Sequence, residues 1–210
     1  MALEDIKQTR LKKLEKLQKA GIDPYPARSS RTYSIAKAIE NFDKLAEEKT
    51  SLVLAGRVMA KREHGGSLFI DLYDGSGRIQ VDLSEKNPGV SFSGPMVSGA
   101  KETMQAFFKL DVLGDSQYKM LVETLDVGDF LEAGGTLFKT KKEERTLEVR
   151  AYKILTKSLL PLPEKWHGLQ DVEERYRRRY LDLIFNSEVK NKFEMRFRIT
   201  KILRDFMNAQ

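Results

Sequence analysis

The chain contains no cysteine and only two histidines, His64 and His167, among its 210 residues. Without thiols it can form neither a disulfide framework nor a thiolate zinc site. Two imidazoles that lie far apart in the sequence favour neither a metal site nor histidine-based catalysis. We therefore expect no metal and no cofactor in this chain.

The chain also lacks long apolar runs. None approaches the roughly 18 residues of a membrane-spanning helix, and the N-terminus lacks the apolar stretch of a signal peptide. With 40% hydrophobic and 32% charged residues, the composition is typical of a globular domain. These absences make the cytoplasm the expected location.

Negative charge is in the minority. The 37 lysines and arginines exceed the 31 acidic residues, which gives a net charge of +6 and a pI of about 9.3. This balance favours a polyanionic partner such as a nucleic acid, although many basic proteins bind none.

Two short runs, 68–73 and 78–83, alternate strictly between apolar and polar residues and are separated by an Asp-Gly-Ser-Gly turn. The alternation predicts a hairpin of two half-buried strands. Phe69 and Gln80 fall on the outward face. An exposed ring can stack on a base, and an amide can read a base edge with one donor and one acceptor. The alternative is that another segment covers Phe69.

Helical patterns flank the strand-rich region. A basic helix is predicted over 3–20, and it either follows a phosphate backbone or presents a solvated face while docked. A second helix begins at the N-cap Ser34. Beyond the strands, one helix opens at Asp171, and a long amphipathic helix covers 187–209.

The strand-rich region predicts a small barrel. Its five predicted strands are 52–62, 68–73, 78–83, 130–140 and 146–154. Met104, Phe107 and Phe108 suggest a short helix between strands three and four. In the last strand the alternation places Thr146 outward and Ala151 inward. Five strands with a helix between the third and fourth match the five-stranded Greek-key barrel of the OB-fold.

The OB-fold binds oligonucleotides on the face of strands two and three, between the first and last hairpin loops. In this chain those places hold Phe69, Gln80, the basic end of strand one and the hairpin tip at 139–145. The candidate RNA-binding cations on these elements are Arg57, Arg62, Lys139, Lys141 and Lys142. Because three features distant in sequence converge on one surface, we expect a nucleic-acid interface there.

The run LPLPEKWHGLQDVEERYRRRYLDLI, residues 160–184, resembles the segment between the anticodon-binding barrel and the catalytic domain of class II lysyl-tRNA synthetases. The aspartyl and asparaginyl relatives share its Arg-Tyr-Leu-Asp core but not the preceding context. The stretches 55–58, 69–80 and 137–141 also resemble this family. The likeness covers nearly the whole chain except about 84–124, a segment longer than the family usually carries.

The resemblance implies residue roles. In this family the barrel reads a tRNA anticodon whose middle base is uridine. The stacking aromatic corresponds to Phe69, the base-reading amide to Gln80, a basic residue at the end of strand one to Arg62 and a glutamate to Glu144. Uridine offers a ring N–H donor between two carbonyl acceptors, so an amide, an arginine and a carboxylate are chemically suitable readers.

The resemblance also implies a domain organisation. The predicted parts are an N-terminal helical extension (1–50), an OB-fold (51–157), a linker (158–169) and the beginning of a class II catalytic domain (170–210). The fold class is therefore α+β and mostly β. The parent enzyme is expected to be a homodimer that attaches lysine to tRNA with ATP and Mg²⁺. The ATP-binding motifs fall beyond residue 210, so the chain alone should be inactive.

Two other functions remain open at this point. The chain could be a stand-alone RNA-binding OB-fold protein that acts in trans. It could also be a dimerisation arm whose barrel has no RNA role. Binding assays with RNA would separate the last alternative from the first two.

Overall fold

The computed structural model of the protein describes residues 3–76, 103–140, 143–163, 169 and 171–209. These residues belong to two compact units, Met1–Pro161 and Leu162–Gln210, which we describe separately. The predicted strand 78–83 with Gln80 lies outside the described residues, as do Lys141 and Lys142.

The first unit contains five strands and five helices within its described residues. The strands are β1 (Leu52–His64), β2 (Ser67–Tyr73), β3 (Thr103–Lys109), β4 (Phe130–Lys139) and β5 (Arg145–Thr156). The helices are α1 (Leu3–Lys19), α2 (Ile35–Glu40), α3 (Phe42–Glu47), α4 (Leu110–Leu113) and α5 (Asp115–Thr124). The predicted second helix is thus two short helices that meet at Asn41, and Ser34 caps the first of them as expected.

The strands close into a barrel in the order β1-β2-β3-β5-β4. All neighbouring strands are antiparallel except β3 and β5, which run parallel. Alternate side chains fill the interior, and those that are fully buried include Leu54, Ile70, Ala106, Leu131 and Leu147. The predicted OB-fold barrel is therefore confirmed.

The predicted short helix at Met104, Phe107 and Phe108 is wrong, because these residues belong to β3. Met104 and Phe108 are buried, whereas Phe107 between them faces outward, which is the period of two that defines a strand. The helices that close this part of the barrel, α4 and α5, follow β3. They occupy the interval between strands three and four, as the OB-fold requires.

Because of a bulge in β5, the expectation that Ala151 points inward is wrong. The β4–β5 register shifts between Gly134 and Gly135, and beyond it Ala151 is exposed rather than buried. A Cβ on Gly135 would overlap the carbonyl oxygen of Glu148, so only glycine allows this close approach of the strands. Thr146 is fully buried although it points away from the interior.

Helix α1 is confirmed and is docked on the barrel through charged groups. The Arg10 guanidinium donates to the carbonyls of Val127, Ser158 and Leu160 at 3.0–3.1 Å. Ion pairs join Lys13 to Asp126 and join Lys157 to both Asp126 and Asp129. We call Arg10, Lys13, Asp126, Asp129 and Lys157 the anchoring cluster.

The second unit is helical in its described residues, with α6 (Val172–Arg177), α7 (Arg179–Phe185) and α8 (Ser187–Asn208). Asp171 caps α6 as predicted, but that helix breaks at Arg178 instead of continuing to Phe185. Helix α8 exposes a row of apolar side chains, namely Phe197, Ile199, Ile202, Leu203, Phe206 and Met207. None of the helices described in either unit is both long and apolar enough to cross a membrane.

Candidate nucleic-acid interface

Two phenylalanine rings stack on the outer face of β2 and β3. Phe69 and Phe107 are directly opposite each other across the strand pair. Their ring centroids are 4.6 Å apart and their planes are inclined by 18°. One face of Phe69 is therefore covered by Phe107, so the alternative of a covered ring is true in part. The pair still leaves each ring half-exposed.

A third ring extends this aromatic surface. Phe138 of β4 approaches Phe107 with a centroid distance of 6.1 Å and an interplanar angle of 47°. On the intervening strand β5, Thr146 is in register with Phe138 and Glu148 is in register with Phe107. The Lys109 ammonium lies 5.2 Å from the Phe107 centroid, a favourable cation–π position.

An amide and a carboxylate lie beside the rings on the same face. Gln105 is two residues before Phe107 and shares its orientation. Its Nε2 donates to the Glu144 carboxylate at 3.1 Å, and its Oε1 accepts from the Thr146 hydroxyl at 2.9 Å. Both ends of the amide are thus oriented. An amide and a carboxylate are groups of the kind that can read a base edge by hydrogen bonding. We call Phe69, Gln105, Phe107, Phe138 and Glu144 the outer-face cluster.

Arg62 borders this cluster at the end of β1, directly opposite Phe69. Its guanidinium makes a bidentate pair with Asp71 at 2.8 and 3.1 Å. The Arg62 side chain is 53% exposed. A pair this exposed is weakly stabilising, so Arg62 can exchange its partner for an RNA group at small cost.

Two other predicted cations have their contacts elsewhere. Arg57 donates to the Gly128 carbonyl at 3.1 Å and lies over the Phe130 ring, and burial lowers its pKa. Lys139 pairs with Asp43 at 2.9 Å, and the hydrogen bond to that carboxylate raises the lysine pKa. Neither side chain contacts the outer-face cluster through these interactions, although Lys139 directly follows Phe138.

Comparison with known proteins agrees with this geometry. A family model described as tRNA_anti-codon, an OB-fold nucleic acid binding domain, matches residues 52–155. The chain is 40% identical to the lysine–tRNA ligase of Carboxydothermus hydrogenoformans over 99% of its own length. It is 41% identical to the enzymes of Moorella thermoacetica, over 99% of its length, and of a Nostoc species, over 100%. Over its whole length, this chain is therefore similar to lysine–tRNA ligases.

The likeness spans only part of those relatives. The chain covers 37% of the length of the Carboxydothermus and Moorella proteins and 35% of the Nostoc protein. The matched domain begins at the first residue of β1 and ends within β5, so it coincides with the barrel. The described barrel is therefore an OB-fold nucleic acid binding domain, in a chain that is similar to part of the lysine–tRNA ligases.

Sequence reasoning missed Gln105, Phe107 and Phe138. A signal for the first was present, because Met104-Gln105 repeats the apolar-Gln pattern of Ile79-Gln80. In the structure, burial alternates from Thr103 to Lys109. The outward face then carries Gln105 and Phe107 together. Phe138 had no such signal, since its approach to Phe107 depends on the pairing of distant strands.

The described residues offer no obvious metal site. Across the ranges that the structure describes, no group of three or more His, Asp or Glu side chains is arranged to hold a metal ion. The chemistry of the outer-face cluster is that of hydrogen bonding and stacking.

Proposed function

We propose that the barrel binds the anticodon loop of a tRNA and that the base it reads at the middle position is uridine. The observation that carries this proposal is the stacked pair Phe69–Phe107 beside the oriented Gln105–Glu144 pair. A base-stacking surface and a base-edge reader on one OB-fold face are the elements that single-stranded RNA recognition needs. The family match supports the same class of ligand.

The stacking geometry restricts where a base can bind. At a centroid distance of 4.6 Å the two rings are already in contact, so no base fits between Phe69 and Phe107. The base therefore stacks on an outer face of the pair. The outer face of Phe69 is turned toward β1, where Arg62 can donate to a base carbonyl or a phosphate.

The hydrogen-bonding groups suit uracil. The ring N–H of uracil can donate to Glu144, while a flanking carbonyl accepts from the free N–H of the Gln105 amide. Cytosine has no ring N–H at the equivalent position and would leave the carboxylate without a donor. Each such loss typically costs about 0.5–1.5 kcal/mol. Gln80, the amide implied by the family resemblance, is the competing reader.

The test is a binding comparison of the parent protein with four anticodon stem-loops that differ only in the middle base, at one fixed salt concentration. We expect uridine to bind most tightly by a factor of several. Equal affinities for all four loops would contradict the proposed reading. A flat dependence of affinity on salt would contradict RNA binding through the basic surface.

We also propose that this module serves, in the cytoplasm, a protein that attaches lysine to tRNA, the activity for which its relatives are named. We propose further that this protein uses ATP and Mg²⁺. The support is the match along the whole chain. We expect the isolated chain to give no lysine-dependent ATP–pyrophosphate exchange. Exchange above background in a clean preparation would show that the chain carries its own catalytic site.

The exposed apolar row of α8 supports a further part of the proposal, that the parent protein is a homodimer in which α8 contributes to the interface. Phe197, Ile202 and Met207 are each more than 60% exposed, an unusual run for a free surface. The isolated chain should be a monomer or a weak dimer in sedimentation experiments. A tight dimer at nanomolar concentration would mean that α8 suffices for pairing.

A further inference from the structure

An open groove borders the outer-face cluster. It lies between α3 and the strands β4 and β5, and its volume is about 490 Å³. Sites for small ligands typically have volumes of about 300–1,000 Å³, so the groove can hold one nucleotide. Phe138 and Glu148 form the wall that the groove shares with the aromatic surface.

The charges that line the groove do not cancel. Of its two carboxylates, Asp43 is paired with Lys139 and Glu148 is paired with Lys109, each at 2.9 Å. The remaining cations are Lys49 and Arg150, which both line the groove. Within the described part of the chain, neither side chain has an ion-pair or hydrogen-bond partner. The groove therefore presents two unneutralised positive charges.

Lys49 occupies a backbone conformation that lysine rarely adopts. It follows α3 with a φ of 49°, in the left-handed region where glycine or asparagine is usual at a helix end. Its N–H donates to the Ala46 carbonyl at 3.2 Å, which completes the helix terminus. Strained backbone conformations are often found at functional sites, so the position of Lys49 in the groove is consistent with a role in binding.

We propose that this groove is a second nucleotide subsite, which holds the nucleotide next to the base stacked on Phe69 and Phe107. The base contacts the Phe138 ring, and Lys49 and Arg150 bind the flanking phosphates. The inference rests on the proposed function, because it needs an RNA strand on the adjacent face. The size of the groove, its excess positive charge and the wall shared with the aromatic surface all favour RNA as the occupant.

The first test removes the two charges and keeps polar side chains at both positions. The double variant Lys49→Gln with Arg150→Gln should bind an anticodon stem-loop more weakly. The slope of log affinity against log salt should fall in magnitude by about 1.4, or roughly 0.7 for each lost phosphate contact. The matched control is Lys192→Gln with Lys201→Gln on α8, two exposed lysines whose loss should leave the slope unchanged. Equal slopes for both double variants would overturn the subsite.

The second test locates the nucleotides. Stem-loops with a single 4-thiouridine at the middle position or at either neighbour are cross-linked by light to the parent protein and mapped by mass spectrometry. We expect one neighbouring position to cross-link to the peptides that contain Lys49 or Phe138, and the middle position to cross-link to β2 or β3. Cross-links from both neighbours that avoid the groove peptides would overturn the proposal.

These tests separate failure of the subsite from failure of the proposed function. If the parent protein prefers middle uridine but the groove variant behaves like its control, only the subsite is wrong. Suppose instead that the groove variant shows the smaller slope of log affinity against log salt, while the parent shows no preference for any middle base. The groove then binds the RNA backbone, and the base-reading proposal is wrong.

Discussion

The anchoring cluster and the outer-face cluster both contain paired polar groups, but they differ in burial. In the first, the side chains of Lys157 and Asp129 are fully buried and their charged atoms are 2.8 Å apart. At the border of the second, Arg62 is 53% exposed and pairs with Asp71 at a similar distance of 2.8 Å. Distance alone therefore does not separate the two regions.

Burial determines what each region can do. A buried ion pair is costly to break because the remaining charge loses its partner without gaining water. The anchoring cluster is thus fixed and holds α1 against the barrel. Exposed pairs contribute little to stability, so those beside the rings can be exchanged for RNA groups. Exchangeable pairs beside aromatic rings, rather than charge as such, mark the functional face.

The sharpest test of this difference makes the same substitution in both regions. Lys157→Met leaves the buried Asp129 carboxylate without its cationic partner and should lower the free energy of unfolding by about 3–5 kcal/mol. Lys109→Met removes an exposed pair with Glu148 and should cost about 1 kcal/mol or less. Urea denaturation measures both. Similar losses for the two variants would show that burial does not distinguish the regions.

The next prediction concerns the rings. Phe69→Ala should weaken RNA binding by about 1–3 kcal/mol, the usual cost of losing one stacked base. Phe107→Ala should also weaken it, because Phe107 supports Phe69 from behind. The control is Phe197→Ala on α8, an aromatic residue that is 65% exposed. Normal binding by Phe69→Ala, measured by fluorescence anisotropy, would mean that the ring only packs the surface.

The buried and the exposed ion pairs should also differ in how much their contribution to the free energy of unfolding changes at low pH. Burial alone would raise the pKa of Asp126, but hydrogen bonds from Lys13 and Lys157 outweigh it and lower that pKa. A carboxyl group whose pKa is lower in the folded state stabilises the protein above its unfolded pKa, near 3.9. This stability is lost as the pH falls through the folded pKa.

The check is the free energy of unfolding from pH 7 down to pH 2. Asp126→Asn should lose stability at neutral pH, by about 1 kcal/mol or more, and should show a flatter profile below about pH 4. The comparison is Asp43→Asn. The hydrogen bond from Lys139 lowers the pKa of Asp43 as well, but this pair is exposed and its contribution should vanish in high salt. An acid profile unchanged by Asp126→Asn would contradict the assignment.

The barrel could be predicted from sequence because its strands alternate locally. The run 68–73 shows this directly. Strand β3 was missed because Phe107 completes a run of three consecutive apolar residues, 106–108, and a short apolar run fits a helix as readily as a strand. The choice is made by tertiary pairing with β2 and β5. The anchoring cluster joins residues far apart in the chain, and no local pattern encodes such contacts.

The smallest expected effect is at Lys49, where one substitution should change both the free energy of unfolding and the affinity for RNA. Lys49→Gly relieves the left-handed backbone and should raise the free energy of unfolding by about 0.5–1 kcal/mol. It should weaken RNA binding at the same time, since the charge is lost. Lys49→Gln is the matched control, because it loses the charge but keeps the strain. If Lys49→Gly gains stability and binds RNA as well as the parent, the charge of Lys49 does not contribute to binding and the prediction is wrong.

The central claim is that the outer face of β2 and β3 reads the middle base of the anticodon. The direct measurement is the affinity of Gln105→Ala and Gln80→Ala for the four stem-loops that differ in that base, at one salt concentration. We predict that Gln105→Ala loses most of the preference for uridine, about 0.5–1.5 kcal/mol, while its mean affinity changes little and Gln80→Ala resembles the parent. If Gln105→Ala keeps the full preference for uridine and Gln80→Ala loses that preference, Gln105 is not the residue that reads the base.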